Sequence, residues 1–167
     1  TGDSLTVAWR EDTGLTVFIE GGTTESVPFE AGTAPADELV AITGVDSDHA
    51  LVVYTEEGGA QMSAVVNRLQ GLTGAGVVKL NSGGPPRHDP TLASAGGAVY
   101  LAWREPVSSP PTDGGWSAEY DELFVQKLVW NGQTLDASSA PISLPRREVH
   151  RVGDQVRPSL VSVPLAP

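Results

Sequence analysis

The sequence of 167 residues contains no cysteine. A membrane-spanning helix needs about 20 consecutive apolar residues, and no apolar run in the sequence approaches that length. The lack of cysteine excludes a disulfide framework, a thiol nucleophile and a thiolate metal site. Basic residues are also few, since 10 Lys and Arg face 21 Asp and Glu, and the net charge of -11 disfavours binding to nucleic acid or to an anionic membrane surface. Long helix-forming runs are absent too, and the 19 glycines and 13 prolines favour an all-β chain of hairpins.

A repeated strand is the most informative pattern that is present. An apolar strand ending in Ala-Trp-Arg-Glu occurs at Ser4 to Glu11 and at Gly97 to Glu105, and a third copy at Ala50 to Glu56 has tyrosine in place of tryptophan. The aromatic positions are 45 and 49 residues apart, a period typical of the four-stranded blade of a β-propeller. Because matching positions in matching strands indicate packing, we expect core positions for Trp9, Tyr54 and Trp103.

Extending each copy outward predicts three four-stranded units and a short tail at 164–167. The second unit spans 37–81 and the third spans 89–145. The first unit, 1–31, lacks a first strand, but Arg157 to Val163 resembles the first strand of the third unit, so we expect a circularly permuted blade made of 1–31 plus 157–163. The predicted strands are 5–11, 15–20 and 25–29 in the first unit, 38–43, 50–56, 61–69 and 76–80 in the second, and 89–95, 97–105, 122–130 and 140–144 in the third.

Three blades are fewer than the usual four to eight of a closed propeller. We therefore expect one of two arrangements. The chain is a fragment of a longer propeller, which the abrupt start at Thr1 and the tail favour, or another chain completes the ring, as in a homodimer with six blades. A β-sandwich is the alternative fold, because the same short strands would also build one.

The repeat resembles that of bacterial extracellular sialidase-like and related six- or seven-bladed propellers. The resemblance rests on Pro-Ser/Thr-Leu-Ala/Val-Ser with a glycine-rich turn, on the Ala-Trp-Arg-Glu strand, and on Leu-Phe-Val-Gln-Lys-Leu before Asn-Gly. It implies a secreted, periplasmic or cell-surface protein. Sialidase-type enzymes carry an arginine triad, a Tyr/Glu nucleophile pair, an Asp acid and Asp-box turns, whereas Ser109 to Trp116 departs from the Asp-box in its Ser-to-Asp spacing.

Insertions on one face of a repeat array commonly form its binding surface, and the connections after the second and fourth strands of each unit emerge on one face. We expect a binding face formed by 106–120 and 145–157, with Trp116 stacking on a sugar ring or anchoring a partner protein. Capping of the blade edge is the alternative role of Trp116. The expected ligand-binding residues are Trp116, Tyr120, Asp113, Arg146, His150, Arg151, Arg104 and Arg10.

Arg10 and Arg104 occupy equivalent strand ends, where two arginines would clamp a carboxylate. The structural alternative, an ion pair with Glu11, Glu56 or Glu105, is favoured because structural roles repeat. No cofactor or metal is expected, and Asp46 and Asp48 fit turn chemistry better than a calcium loop.

The sequence thus predicts a non-catalytic extracellular propeller module that binds a glycan or a protein, with a fragment of a sialidase-like glycoside hydrolase as the alternative. No pair of acids stands out by its spacing, so binding is favoured over catalysis.

Overall fold

The computed structural model describes residues 5–21, 24–28, 40–56, 58–67, 69–72, 78–81, 83–108, 119–132 and 135–144. These residues form thirteen β-strands and no helix, so the all-β prediction is confirmed for the part of the chain described. None of these elements is therefore a candidate for a membrane-crossing helix. The strands make three antiparallel sheets, each formed by neighbouring segments of the chain.

Each sheet follows the chain as a meander. The first sheet has the order β1 (Thr6–Glu11), β2 (Gly14–Ile19), β3 (Thr24–Pro28). The second has the order β4 (Ala41–Gly44), β5 (His49–Glu56), β6 (Ala60–Asn67), β7 (Gly71–Leu72), with β8 (Val78–Lys79) also paired to β6. The third has the order β9 (His88–Ala95), β10 (Ala98–Ser108), β11 (Glu119–Trp130), β12 (Leu135–Ala137), with β13 (Ile142–Leu144) also paired to β11.

The fourth strand of the second and third sheets differs from its prediction. Where 76–80 and 140–144 are each predicted as one strand, two short segments pair successively with the third strand of the sheet. In the third sheet the break between β12 and β13 contains Pro141, which has no amide hydrogen for the ladder. Ser138, which directly follows β12, bridges part of this break, because it donates its backbone N–H and its hydroxyl to the carbonyl of Lys127.

The three sheets stack in series, and the second sheet is covered on both faces. One of its faces packs on the first sheet in a cluster that includes Val17, Ile19 and Val66. The opposite face packs on the third sheet in a cluster that includes Val65 and Leu128. All residues from Leu51 to Glu56 of β5 are consequently buried, as expected for a strand between two layers.

In the second and third sheets, the repeated aromatic position faces the preceding sheet. Tyr54 is 1% exposed and belongs to the cluster with the first sheet, and Trp103 is 0% exposed and belongs to the cluster with the second sheet. These two core predictions are confirmed. The core prediction for Trp9 is wrong for this chain, because Trp9 is 37% exposed on a face of the first sheet that no other described sheet covers.

Candidate functional site

The β5–β6 turn and the β8–β9 connection meet at one end of the stacked sheets. The carbonyl of Gly59 accepts hydrogen bonds from the backbone N–H of Arg87 and from Asn81 Nδ2, both at 3.1 Å. The side-chain oxygen of Asn81 in turn accepts the backbone N–H of Gln61 at 2.7 Å. Asn81 is buried, so it joins the two connections through bonds that are shielded from solvent. We call this the loop end of the sheets.

At the loop end, the Ala-Trp-Arg-Glu motif forms the same internal bond in both complete copies. Trp103 Nε1 donates to Glu105 Oε1 at 2.7 Å, and Trp9 Nε1 donates to Glu11 Oε1 at 3.1 Å. Residues two apart in a strand share a face, which is why the glutamate lies beside the indole. In the third sheet Arg87 also donates to Glu105 at 3.0 Å, and its guanidinium carbon lies 4.2 Å from the Trp103 ring centroid.

Arg104 is held by two carboxylates of its own sheet. Asp89 Oδ2 accepts Arg104 Nε at 2.8 Å and lies 2.5 Å from Nη2, and Asp121 Oδ2 accepts Nη1. The register shifts between Ala102 and Arg104, where two residues of β9 oppose one of β10, and Asp89 has φ +45° in this bulge. The bulge therefore aims a buried carboxylate at the guanidinium, and the partners differ from the glutamates named by the sequence.

Two other residues that are expected to bind a ligand, Arg10 and Tyr120, lie in described strands. Arg10 pairs with Leu15 and therefore lies on the face of the first sheet that packs on the second. Tyr120 lies in β11 opposite Val107 of β10. Five of the expected residues lie outside the described part of the chain, namely Asp113, Trp116, Arg146, His150 and Arg151.

The β10–β11 hairpin extends beyond the level at which the equivalent hairpins turn. β1 and β5 end at the motif glutamates, Glu11 and Glu56, and their turns follow within three residues. In the third sheet, pairing continues past the glutamate for three more residue pairs, to Ser108 opposite Glu119. The two-stranded ribbon thus extends beyond the loop end and includes 106–108 and 119–120 of the predicted insertion, whereas 109–118 lie outside the described residues.

The opposite end of the sheets carries a polar cluster that the sequence predicted only in part. Asp46 Oδ1 accepts the backbone N–H groups of Asp48 and His49, both at 2.8 Å, which confirms the turn role of Asp46. The same carboxylate accepts Trp130 Nε1 at 2.8 Å and lies 2.9 Å from His49 Nδ1. Because Trp130 is 84 residues away in the third sheet, this tie between sheets has no signal in the local sequence.

The hydrogen bonds around His49 define its tautomer. Asn67 Oδ1 accepts the backbone N–H groups of Leu69 and Gln70, which leaves Asn67 Nδ2 to donate to His49 Nε2 at 2.9 Å. His49 Nδ1 therefore carries the hydrogen that is donated to Asp46. A small pocket beside this cluster is lined by Val45, the β9–β10 turn and Trp130.

Acidification is expected to remove the contribution of Asp46 to stability. Burial raises the pKa of this carboxyl, but hydrogen bonds from Asp48, His49 and Trp130 outweigh burial, so the folded pKa lies below the ordinary 3.8. The contribution is complete above pH 3.8 and is lost as the pH falls through the lower, folded pKa. The Asp46 side chain is 37% exposed, so solvent screening reduces its contribution. Urea unfolding should show Asp46→Asn less stable than the wild type by less than about 1 kcal/mol at neutral pH, and the difference should shrink below pH 3.8.

The Trp130→Phe variant is the matched control, because it keeps an aromatic ring and removes the indole donor to Asp46. We expect it to lose part of the stability that Asp46→Asn loses. The role of Asp46 would be contradicted if the free energies of unfolding of the wild type and of Asp46→Asn changed in parallel between neutral and acidic pH.

The comparisons with known proteins give no relative of this chain. No protein family, curated protein or solved structure matches it.

Proposed function

We propose that the chain is a non-catalytic module of β-propeller type that acts outside the cytoplasm and binds a glycan or a protein at the loop end of its sheets. Three meander sheets stacked in series support the propeller architecture, since successive blades pack face to face in this way. A β-sandwich has two packed sheets and would leave no sheet covered on both faces, so the arrangement speaks against that alternative.

The observation that carries the proposed binding role is the extended β10–β11 hairpin. Its two strands stay paired beyond the common turning level, as far as Ser108 and Glu119, and residues 109–118 join them in the sequence. This segment contains Asp113 and Trp116, flanked by glycine. An indole in this segment would offer a flat apolar surface that suits a sugar ring or a pocket on a protein. Residues 145–157, with Arg146, His150 and Arg151, belong to the same proposed face.

The engagement of the acidic residues at the loop end favours binding over glycoside hydrolysis. Hydrolysis of a glycoside needs two carboxyl groups, or an equivalent nucleophile and acid, converging on one cleft. Among the described residues, Glu105 accepts Trp103 and Arg87, while Asp89 and Asp121 hold Arg104. In the part of the chain that the structure describes, these carboxylates are thus bound by tryptophan and arginine side chains.

Replacing Trp116 by alanine is expected to weaken ligand binding by about tenfold or more, because an aromatic anchor at the centre of a contact carries much of the affinity. Binding is measured on a glycan array with the wild-type chain, with Trp116→Ala and with a control variant. Leu69→Ala is the control, since Leu69 is an exposed apolar side chain on the β6–β7 turn at the opposite end.

Equal binding by the wild type and Trp116→Ala would remove Trp116 as the anchor. Equal losses in Trp116→Ala and Leu69→Ala would point to a general effect on the fold. A chain that binds no glycan on the array but retains a Trp116-dependent protein partner in cross-linking would favour the protein ligand.

A further inference from the structure

The stack of sheets ends in two different open faces. The Trp9 face, on the first sheet, is defined by its exposed side chains, Leu5, Val7, Trp9 and Glu20, of which Leu5 is 58% exposed. The Leu144 face, on the third sheet, consists of Lys127, Val129, Ile142 and Leu144, of which Ile142 is 62% exposed. Both faces carry apolar side chains in the part of the chain described, and neither is covered by another described sheet.

The internal packing defines what fits the Trp9 face. In both internal contacts, the aromatic-slot face of one sheet packs against the opposite face of the sheet before it. The Trp9 face is the aromatic-slot face of the first sheet. The Leu144 face is the side of the third sheet turned away from its own aromatic slot. The Leu144 face is therefore the kind of surface that covers an aromatic slot elsewhere in the molecule.

One pair of equivalent positions adds charge complementarity to this match. The two positions lie in the strand that follows the aromatic-slot strand of each sheet, three and four residues after the residue that pairs with the aromatic slot. Between the first and second sheets they are occupied by Ile19 and Val66, and between the second and third sheets by Val65 and Leu128. By register from the aromatic slot, the same pair of positions on the open faces is occupied by Lys127 and Glu20. Where the internal contacts have two apolar residues, the open faces have opposite charges, and both side chains are exposed.

We propose that two copies of this chain associate head to tail, with the Leu144 face of each copy seated on the Trp9 face of the other. The two contacts are equivalent and close a ring of six sheets, so no face remains open. Lys127 of each copy then lies opposite Glu20 of the next, and their pairing favours this register over other registers. The proposal rests on the packing of the sheets and is independent of the binding role of the loop end.

Mixing two disrupted chains tests the head-to-tail geometry. Val7→Asp places a charge in the Trp9 face, and Ile142→Asp places one in the Leu144 face. Each variant alone has a disrupted side in both contacts, so its dissociation constant should rise about tenfold or more. An equimolar mixture restores one intact contact, between the Trp9 face of one variant and the Leu144 face of the other. Sedimentation equilibrium should then show particles of twice the 17.4 kDa chain mass in the wild type and, more weakly, in the mixture.

Charge reversal tests the register. Glu20→Lys and Lys127→Glu should each weaken association, and the chain carrying both changes should associate more strongly than either single variant. Circular dichroism and thermal unfolding of every variant show whether the sheets remain folded. Lys79→Glu is the control, because it changes the charge of an exposed lysine in β8, outside both faces.

Three results would overturn the proposal. The first is a wild-type chain that remains a 17.4 kDa particle throughout a dilution series. The second is a dimer that Val7→Asp abolishes and Ile142→Asp leaves intact, which would mean that two Trp9 faces pack on each other. The third is a series of particles that grows with concentration, which would mean that the contacts do not close.

Discussion

Replacing Trp103 by alanine is expected to destabilise the protein by about 3–5 kcal/mol, the usual range for removal of a large buried aromatic residue. Trp103 is 0% exposed, and its ring lies 5.9 Å from that of Phe124 and 4.2 Å from the guanidinium carbon of Arg87. The change would leave a cavity between the second and third sheets and would remove the indole donor to Glu105. Urea unfolding followed by circular dichroism measures the loss.

Two further variants test the causes of this loss. One distinguishes the packing of Trp103 from its hydrogen bond, and the other compares the same position of the repeat in an exposed setting. Trp103→Phe keeps a ring and removes the donor to Glu105, so it should cost less than Trp103→Ala. Trp9→Ala changes the same position of the repeat, but Trp9 is 37% exposed and should cost less than half as much at dilutions where the chain is monomeric. Equal losses for Trp9→Ala and Trp103→Ala under these conditions would contradict the difference in burial.

Replacing Gly59 by alanine is expected to destabilise the protein by about 2–5 kcal/mol. Gly59 has φ +78°, a left-handed conformation that costs a residue with a Cβ about 1–2 kcal/mol. An added Cβ would also lie 2.1 Å from Pro86 Cβ and 2.3 Å from Pro86 Cα, so the β8–β9 connection would have to move. Overpacking of this kind costs about 1–3 kcal/mol in addition. Thermal or urea unfolding measures the total.

Gly58 provides the matched control for Gly59. It precedes Gly59 in the same turn and has nearly the same φ, +80°, but a Cβ added there meets nothing within 4 Å. Gly58→Ala should therefore show the backbone cost alone. If Gly58→Ala and Gly59→Ala destabilised the protein equally, the close approach of Pro86 would have no energetic weight.

The strand pattern was predictable because it depends on neighbouring residues. The apolar strand that ends at the aromatic slot, with the turn after it, locates β1, β5 and β10 and the hairpins that they form. The burial of Tyr54 and Trp103 follows from the same repeat. The exposure of Trp9 could not be predicted from the repeat, because it depends on whether another sheet packs against the first one. The same strand motif occurs with its aromatic position on covered faces and on an open face.

The side-chain contacts were less predictable because most of them join distant segments. Arg87 precedes β9, yet it stacks on Trp103 and bonds Glu105 in β10. The partners of Arg104 depend on a bulge at Asp89, for which the sequence offers only a Pro at the next position. The bond from Trp130 to Asp46 crosses between two sheets. The sequence predicted only the turn role of Asp46, which is one of the two partners in this contact.

The double-sided burial of the second sheet has a consequence for how the molecule folds. Each sheet is a local meander, so its hairpins can form from short segments without closing a long loop. The residues of β5, however, lose contact with solvent only when sheets pack on both sides. The second sheet therefore has little stability by itself, and its formation couples the folding of its two neighbours into one cooperative transition.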